Sequence, residues 1–328
     1  MDNKYYDLDI PIEAVNGCLL ARLFDCGYQY VAVNQRVSID DFNFDVKSDS
    51  VVRKKSKEER QAMRQELLAK LEPPSSEVLE KYIKESSAFR ASACSPTVSC
   101  KPRIFTRLTL ECDDAGNAGL FFRQFENKLN AFDVVSFCPT SNAALVYACE
   151  KALNIDLITF DLTKTCEIRL QSKQCNQMMS RGIHLEFQLA PVLRSASSVH
   201  SARSVLSQYF SSLLCYSRKS FINMIVVSSG ASCGWEVRRP VAVSAMLSCL
   251  GLQPREATHS CLTKAPFAVV THGLMRSKTA HGAAALLKLL PMPNVSSIVV
   301  EPIVNKQPEE NIDSINDETP CKKMKLTE

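Results

Sequence analysis

Two groups of alternating polar residues in this 328-residue chain have the chemical types that hydrolysis requires. Asp7 and Asp9 alternate in the strand-like run YYDLDIP, and this spacing predicts that their carboxylates share one face of a strand. Two carboxylates placed together can bind Mg²⁺ or act as general acid and base. His184, Glu186 and Gln188 alternate in HLEFQL in the same way, and we expect their common face to point into the protein.

The sequence leaves two interpretations of these residues open. In the first, Asp7, Asp9, Glu186 and His272 belong to a metal-dependent phosphoesterase site, which requires several converging ligands. In the second, the two aspartates cap a helix or pair with an arginine. The side chains of HLEFQL then form a buried, hydrogen-bonded polar network.

The full sequence lacks several common catalytic and cofactor-binding signatures. It contains no GxxxxGK[ST] phosphate loop, no GxGxxG after a strand and no HExxH. Its five histidines include no H-x-H pair, and its 14 cysteines include no C-x-x-C. We therefore predict no cofactor, no metal and no catalytic residue, and we expect the cysteines to be reduced thiols of an intracellular protein.

Cations and small residues in the second half of the chain suggest phosphate binding instead. Residues 164–300 carry 15 Lys and Arg but only 4 Asp and Glu, and such an excess indicates a polyanionic partner. The apolar run Ile222–Ser228 leads into small residues that would let a phosphate approach the backbone. The predicted RNA-binding residues are Arg169, Lys173, Arg181, Ser229, Gly230, Arg238, Arg239, Arg276 and Lys278. The alternative is a protein-binding barrel whose basic face is incidental.

The elements that must position these residues are short β-like runs separated by helical patterns. This alternation predicts an α/β fold with a parallel sheet, and we expect a TIM-barrel-like (βα) barrel of seven or eight strands. An open doubly wound sheet is the alternative. The last strand is predicted at Ala268–Thr271, where the sequence reads AVVT.

Composition predicts one barrel domain over residues 1–305 and a disordered acidic tail over 306–328 that ends in a lysine cluster. A charged helical insertion follows the second strand, at 40–102. Its first helix is marked by the capping-box pair Ser56 and Glu59 and by a stripe of Met63, Leu67 and Leu71. No leader peptide and no membrane-spanning stretch is predicted.

Several strings resemble, in order and spacing, one family of ribonucleoprotein subunits. They are YYDLDIP, GYQYVAVN, RIFTRLTLE, FDVVSFCPTS, SRGIHLEFQLAPVL, VVSSGASCGWEVRRP and THGLMRSKTAHG. Together they are similar to the roughly thirty-kilodalton protein subunit of nuclear ribonuclease P and ribonuclease MRP, a family with an archaeal counterpart. The resemblance covers about residues 4–38 and 103–282, and the insertion departs from the shorter loop usual in the family.

The resemblance implies a TIM-barrel fold related to the polymerase-and-histidinol-phosphatase hydrolases that has lost its metal centre. Asp7-Leu8-Asp9 then stands where those hydrolases carry H-x-H, and Ser228–Ala231 stands near a lost ligand position. The remaining vestigial positions at the barrel mouth are Asn34, Glu186 and His272.

The function that this resemblance implies is that of a noncatalytic, RNA-binding subunit. The RNA component of such a complex removes the 5′ leader of precursor tRNA, and a role in ribosomal RNA processing is also expected. The implied partners are the noncoding RNA, precursor tRNA, other protein subunits including a small one, and a second copy of this chain. The implied location is the nucleus and nucleolus.

Overall fold

A computed structural model of the chain describes residues 4–42, 65–92, 102–152, 154–162, 168–194, 202–216, 221–252 and 255–278. Seven parallel strands in these ranges form one sheet, in which each strand pairs with the next along the chain. The strands are β1 (Tyr5–Pro11), β2 (Tyr28–Ser38), β3 (Arg103–Cys112), β4 (Val134–Pro139), β5 (Leu157–Thr159), β6 (His184–Gln188) and β7 (Ile225–Ser228). The prediction of a TIM-barrel-like fold with an insertion after the second strand is confirmed.

Helices follow the strands and cover the outside of the sheet. They are α1 (Gly17–Asp25), α2 (Ser76–Ser92), α3 (Ala115–Leu129), α4 (Asn142–Glu150), α5 (Ser172–Arg181), α6 (Ala190–Arg194), α7 (Ala202–Tyr216), α8 (Pro240–Cys249), α9 (Arg255–Ser260) and α10 (Lys264–Lys278). No helix in the described ranges is both long enough and apolar enough to span a membrane. The cysteines of those ranges form no disulfide with one another.

Polar caps fix where the helices behind the first strands begin. The side chain of Asn16 accepts a hydrogen bond from the backbone of α1. Asp114 does the same for α3, and Ser141 for α4. Each cap satisfies a backbone N–H group that the first helical turn leaves without a partner. The strand-to-helix turns are therefore fixed by local chemistry that the sequence carries.

The barrel closes between β7 and β1 through a direct hydrogen bond at one end and through an intervening segment of chain at the other. At the carboxyl ends of the strands, Gly230 N donates to Asp9 O over 3.0 Å. At the amino ends, Val227 N donates to Cys261 O over 3.2 Å and Tyr6 N donates to Leu262 O over 3.1 Å. The seven strands thus form a nearly closed barrel in which the segment before α10 completes the seam.

Helix α10 closes the amino end of the barrel, and the predicted strand at Ala268–Thr271 is wrong because these residues lie inside this helix. Ala265, Val269 and Val270 are buried in one cluster with inward-facing side chains of the strands. Ala265 and Val269 are four residues apart, which places both on one helical face. Val269 and Val270 are β-branched and favour a strand locally, but their burial against the open end of the barrel stabilises a helix instead.

Part of the insertion packs against the barrel. Leu67 and Leu71 are buried, as the predicted apolar stripe requires, and α2 lies against α1. The capping pair Ser56 and Glu59, together with Met63, lies outside the described residues. So do residues 43–64 and 93–101 of the insertion, the predicted domain end at 305 and the tail at 306–328.

Gly273 offers a test of how tightly α10 fits. A Cβ atom at Gly273 would lie 2.0 Å from the carbonyl oxygen of Asp133, so the helix cannot keep its position if any side chain is added. We expect Gly273→Ala to lower the free energy of unfolding by about 1–3 kcal/mol, the usual cost of overpacking. The measurement is urea denaturation followed by circular dichroism.

The matched control is Gly119→Ala in α3, where the nearest atom to an added Cβ is 3.7 Å away. Because alanine favours a helix interior over glycine, this variant should gain roughly 0.5–1 kcal/mol. Equal stability of the two variants would contradict the close packing of α10.

Candidate functional site

A buried arginine occupies the centre of the barrel. Arg107 points inward from β3, and its side chain and that of Glu186 on β6 are both 0% exposed. Its Nη1 donates to Glu186 Oε1 over 2.6 Å, and its Nη2 donates to Glu186 Oε2 over 2.5 Å. Two parallel hydrogen bonds of this kind are the strongest geometry that an arginine and a carboxylate can form.

The other donors of Arg107 also have partners. Nη1 donates to the carbonyl oxygen of Leu8 over 2.7 Å, and Nη2 donates to Ser136 Oγ over 3.1 Å. Nε donates to Thr109 Oγ1 over 3.3 Å. All five N–H groups of a guanidinium are therefore used. Burial, the largest single effect, disfavours the charged form, but Glu186 together with the negative charges of Asp9 and Asp7 outweighs it and raises the pKa of Arg107, which stays a cation.

A second buried carboxylate continues this network toward the carboxyl ends of the strands. Asn34 Nδ2 donates to Asp9 Oδ1 over 2.6 Å, and Arg36 Nη2 and Gln188 Nε2 donate to Asp9 Oδ2, the former over 3.2 Å. Thr109 Oγ1 donates to Asn34 Oδ1 over 2.8 Å and so connects the two halves. Glu186 and Gln188 thus lie in a buried hydrogen-bonded network, as the alternation in HLEFQL predicts, whereas His184 lies outside it, with Nδ1 3.0 Å from the carbonyl oxygen of Gly182.

The expected shared face of Asp7 and Asp9 is wrong. Asp7 pairs with Val31 of β2 and Ile10 pairs with Val33, so β1 has an extra residue between these pairs. Such a bulge interrupts the alternation of faces. Asp9 consequently points into the barrel, whereas Asp7 Oδ1 accepts a hydrogen bond from Ser229 N over 3.0 Å.

Asp7 is an unusual carboxylate in this site. Its Oδ2 is buried and has no hydrogen-bond partner among the residues that the structure describes. Burial outweighs the hydrogen bonds from Ser229 and raises the pKa of Asp7 to about 7. Raised pKa values are typical of functional carboxylic acids, but they also arise where a strand bulge traps an acid in the core.

The histidine of the hypothetical phosphoesterase lies at the other end of the barrel. His272 Nδ1 is 2.6 Å from Oδ1 of Asp156, the residue that precedes β5. Arg276 Nη2 is 3.1 Å from the same carboxylate and also donates to the carbonyl oxygen of Phe132. Asp9, in contrast, contacts Gln188 at the carboxyl end of β6.

The phosphoesterase hypothesis is therefore not favoured. Asp9 accepts a hydrogen bond from Arg36, and Glu186 pairs with Arg107, so each carboxylate already faces a fixed positive charge, which repels a divalent ion. Within the part of the chain that the structure describes, no three His, Cys, Asp or Glu side chains are placed to hold a metal ion.

The small residues after β7 serve to close the barrel. Ser229 N donates to Asp7, Gly230 N donates to the carbonyl oxygen of Asp9, and Ala231 N donates to Ser229 Oγ. The donors that a phosphate would use are thus already paired. Gly230 has φ +58° and faces the side chain of Gln188, which explains why a glycine stands here.

The cations after β5 differ in exposure and in whether their charged groups are bonded within the fold. Arg169 is exposed, and Lys173 is exposed but pairs with Glu150 over 2.8 Å. Arg181 is half-buried, and its Nη1 donates to the carbonyl oxygens of Ala148 and Cys149 at the end of α4. Arg181 therefore holds α4 in place, while Arg169 and Lys173 face solvent.

The cations of α8 and α10 differ in the same way. Arg239 is exposed at the start of α8, and Arg238 is half-buried with Nη1 donating to the carbonyl oxygen of Trp235. Arg276 is only 5% exposed and is used internally. The side chain of Lys278 lies outside the described residues.

Sequence reasoning did not single out Arg107, the residue around which the site is organised. A signal was present, because RIFTRLTLE places one arginine at an inward position of an otherwise apolar and hydroxylic strand. A charged residue at such a position requires a buried partner. Which carboxylate supplies it depends on the register of six other strands.

Arg107→Met should lower the free energy of unfolding by about 3–5 kcal/mol, because it leaves the Glu186 carboxylate buried without its cation. The free energy of unfolding of the double variant Arg107→Met/Glu186→Leu should be closer to the wild-type value than that of Arg107→Met, since the double variant removes both charges. Chemical denaturation of the wild type, Arg107→Met, Glu186→Leu and the double variant measures this. Strictly additive losses would show that the pair is not coupled.

Asp7 predicts a pH dependence of stability. Its folded pKa of about 7 lies above the value of 3.8 for an unperturbed aspartate, so the folded state binds the extra proton between these values. Stability should therefore fall as the pH rises from 4 to 7, by at most about 1.4 kcal/mol per unit. Asp7→Asn should remove this fall in urea midpoints, and an unchanged profile would contradict the assignment.

Comparisons with known proteins agree with the fold. Residues 4–278 match the family described as RNase P subunit p30. Ribonuclease P/MRP protein subunit RPP1 of Saccharomyces cerevisiae is 28% identical over 178 residues, which are 54% of this chain and 56% of that protein. Protein GAMETOPHYTE DEFECTIVE 1 of Arabidopsis thaliana is 31% identical over 156 residues, which are 47% of this chain and 25% of that protein.

The matches thus span about half of one relative and a quarter of the other. A chain in a cryo-EM structure of archaeal ribonuclease P with mature tRNA has a similar fold, with a TM-score of 0.52 and 13% identity over 86% of this chain and 98% of that chain. The family match covers all seven strands, the central arginine and helix α10. This chain belongs to the RNase P subunit p30 family.

Proposed function

We propose that the chain is a noncatalytic, RNA-binding subunit of ribonuclease P and ribonuclease MRP. The observation that carries this proposal is the buried Arg107–Glu186 pair, because it takes up in an internal ion pair a carboxylate that a metal-dependent hydrolase would need as a ligand. With its central carboxylates neutralised, the barrel supports the assembly rather than the chemistry. Removal of the 5′ leader of precursor tRNA is then the work of the RNA component.

The partners proposed follow from the relatives. The yeast relative is named as a subunit of ribonuclease P/MRP, and the archaeal structure contains ribonuclease P and tRNA. We infer that this chain contacts the noncoding RNA, precursor tRNA and other protein subunits, among them a small partner and a second copy of the chain. We further infer a nuclear location that includes the nucleolus, and a role in ribosomal RNA processing.

The RNA-facing residues that we propose are the exposed members of the predicted set. Arg169, Lys173 and Arg239 extend into solvent, and Arg238 lies beside Arg239. Lys278 stays a prediction. We leave out Ser229, Gly230, Arg181 and Arg276, because their hydrogen-bonding groups are used within the fold.

Reversing the charge at Arg169, Lys173 and Arg239 should weaken RNA binding. For each phosphate that the variant no longer neutralises, the slope of log affinity against log salt should also become shallower by about 0.7–0.9. Filter binding at several salt concentrations measures both quantities. The matched control is Lys264→Glu on α10, an exposed lysine at the amino end of the barrel, which should leave affinity and slope unchanged.

Sequencing of the RNA bound to the tagged full chain tests the proposal as a whole. The expected result is one noncoding RNA recovered with precursor tRNA, and accumulation of tRNA precursors with intact 5′ leaders when the chain is depleted. Recovery of no specific RNA, or normal leader removal after depletion, would overturn it.

A further inference from the structure

An exposed tryptophan stands on the outside of the barrel next to the seam between β7 and β1. Trp235 is 61% exposed and is the one tryptophan of the whole chain. It lies in a short turn, Gly234–Glu236, that packs against α1. A large aromatic side chain that stays in water at a fixed position on a folded surface is a common mark of a binding site.

The turn that carries Trp235 is held rigidly. Glu236 is 3% exposed, and its carboxylate accepts hydrogen bonds from Arg194, with Nη2 at 2.6 Å from Oε2, and from Ser232 N over 2.8 Å. Arg238 Nη1 donates to the carbonyl oxygen of Trp235 itself. The backbone is fixed on both sides of Trp235, so a ligand would lose little entropy on ordering it.

Three arginines surround this turn. The side chain of Arg22 on α1 lies against Gly234, where an added Cβ would meet its Cγ at 3.6 Å. Arg238 follows the turn, and its carbonyl oxygen accepts a hydrogen bond from the hydroxyl of Tyr28 over 3.1 Å. Arg239, the next residue, precedes the first turn of α8 and is exposed.

The three arginines also act on one neighbouring group. Burial raises the pKa of the Cys26 thiol, the residue after α1, and the positive charges of Arg22, Arg239 and Arg238 oppose that rise. The neighbouring acid, Asp25, is bound by Arg90 over 2.8 Å. Among the described residues, none of the three arginines has a carboxylate within salt-bridge distance, and the cluster keeps its positive charge.

We propose that Trp235 and the arginines Arg22, Arg238 and Arg239 form a binding site for an unpaired nucleotide of RNA. The base stacks on the exposed indole, and the arginines pair with the phosphates on either side of it. This inference rests on the proposed RNA-binding function. It adds how the RNA is recognised, namely by stacking of one base and pairing of its phosphates. RNA bases become available for stacking only in loops, bulges and single strands, so the site selects these over duplex RNA.

Charge distinguishes this occupant from a protein. In a protein interface built on one tryptophan, apolar or mixed side chains would surround the indole. Trp235 is instead surrounded by three arginines, which have no acidic partners among the described residues. Guanidinium groups also match phosphate oxygens with two parallel hydrogen bonds. The site is therefore complementary to a polyanion that exposes flat aromatic groups.

Because the chain has a single tryptophan, its fluorescence reports on this site alone. We expect quenching when the purified full chain is titrated with a single-stranded eight-nucleotide RNA of mixed sequence. The same strand annealed into a blunt duplex should quench far less at equal concentration. Absence of quenching at RNA concentrations that saturate binding would overturn the proposal.

Substitutions test stacking separately from charge, with anisotropy of a labelled oligonucleotide as the measurement. Trp235→Ala should weaken binding of the single strand about ten-fold or more, as for other base-stacking residues, while Trp235→Phe should keep most of the affinity. Arg22→Glu should lower the salt slope by about 0.7, the value for one phosphate of a single strand.

The matched control is Phe267→Ala on α10, which removes another exposed aromatic ring and should leave affinity unchanged. Wild-type affinity of Trp235→Ala together with weakened binding of the Arg169, Lys173 and Arg239 triple variant would overturn the stacking site and leave the proposed function standing. Unchanged affinity of both would contradict RNA binding by this face. Quenching by another purified subunit of the complex, and not by RNA, would show a protein interface instead.

Discussion

The ion pair between Arg107 and Glu186 lies at the centre of the barrel, and neither side chain contacts solvent. A buried charge without a partner costs several kcal/mol, so each of these residues requires the other. Their bonds reach a carbonyl oxygen on β1, a hydroxyl on β4 and a hydroxyl on β7. One guanidinium thus fixes the relative positions of strands that are far apart in the chain.

The same network explains why the barrel suits a supporting role. A hydrolytic site needs carboxylates free to bind a metal ion or to transfer a proton. Here Asp9 and Glu186 accept hydrogen bonds from neighbouring side chains, and both face arginines. The arginines and carboxylates of this network are paired within the fold, and groups available to a partner lie on the outer surface, where Arg169, Arg239 and Trp235 are exposed.

Closure of the barrel depends on two pieces of chain that are not strands. The segment after β7 bonds directly to β1 through Gly230, and the segment around Cys261 bridges the same two strands at the other end. Helix α10 then covers the apolar amino end, with Gly273 against the backbone of Asp133. The turn carrying Trp235 belongs to the first of these pieces, so the proposed nucleotide site and the seam of the barrel share one segment.

Local chemistry in the sequence determined the order of strands and helices, the parallel sheet and the helix caps. Alternation in HLEFQL was sufficient to predict the inward polar face, because a strand places every second side chain on one side. Two local patterns led to wrong predictions. The alternation of Asp7 and Asp9 is broken by a bulge that only pairing with β2 creates, and the β-branched run near Val270 became helical because the end of the barrel needed a cover.

The tertiary structure alone decided which charged groups meet. Arg107 and Glu186, which neutralise each other, are 79 residues apart in the chain. Asp9 lies 179 residues from Gln188, which donates a hydrogen bond to it, so no local pattern could show either contact. The same holds for Arg276, which the sequence presents as a loop cation and the fold places on Asp156. A sequence shows that a charge is present, but burial and the register of distant strands determine whether that charge is paired inside or left for a partner.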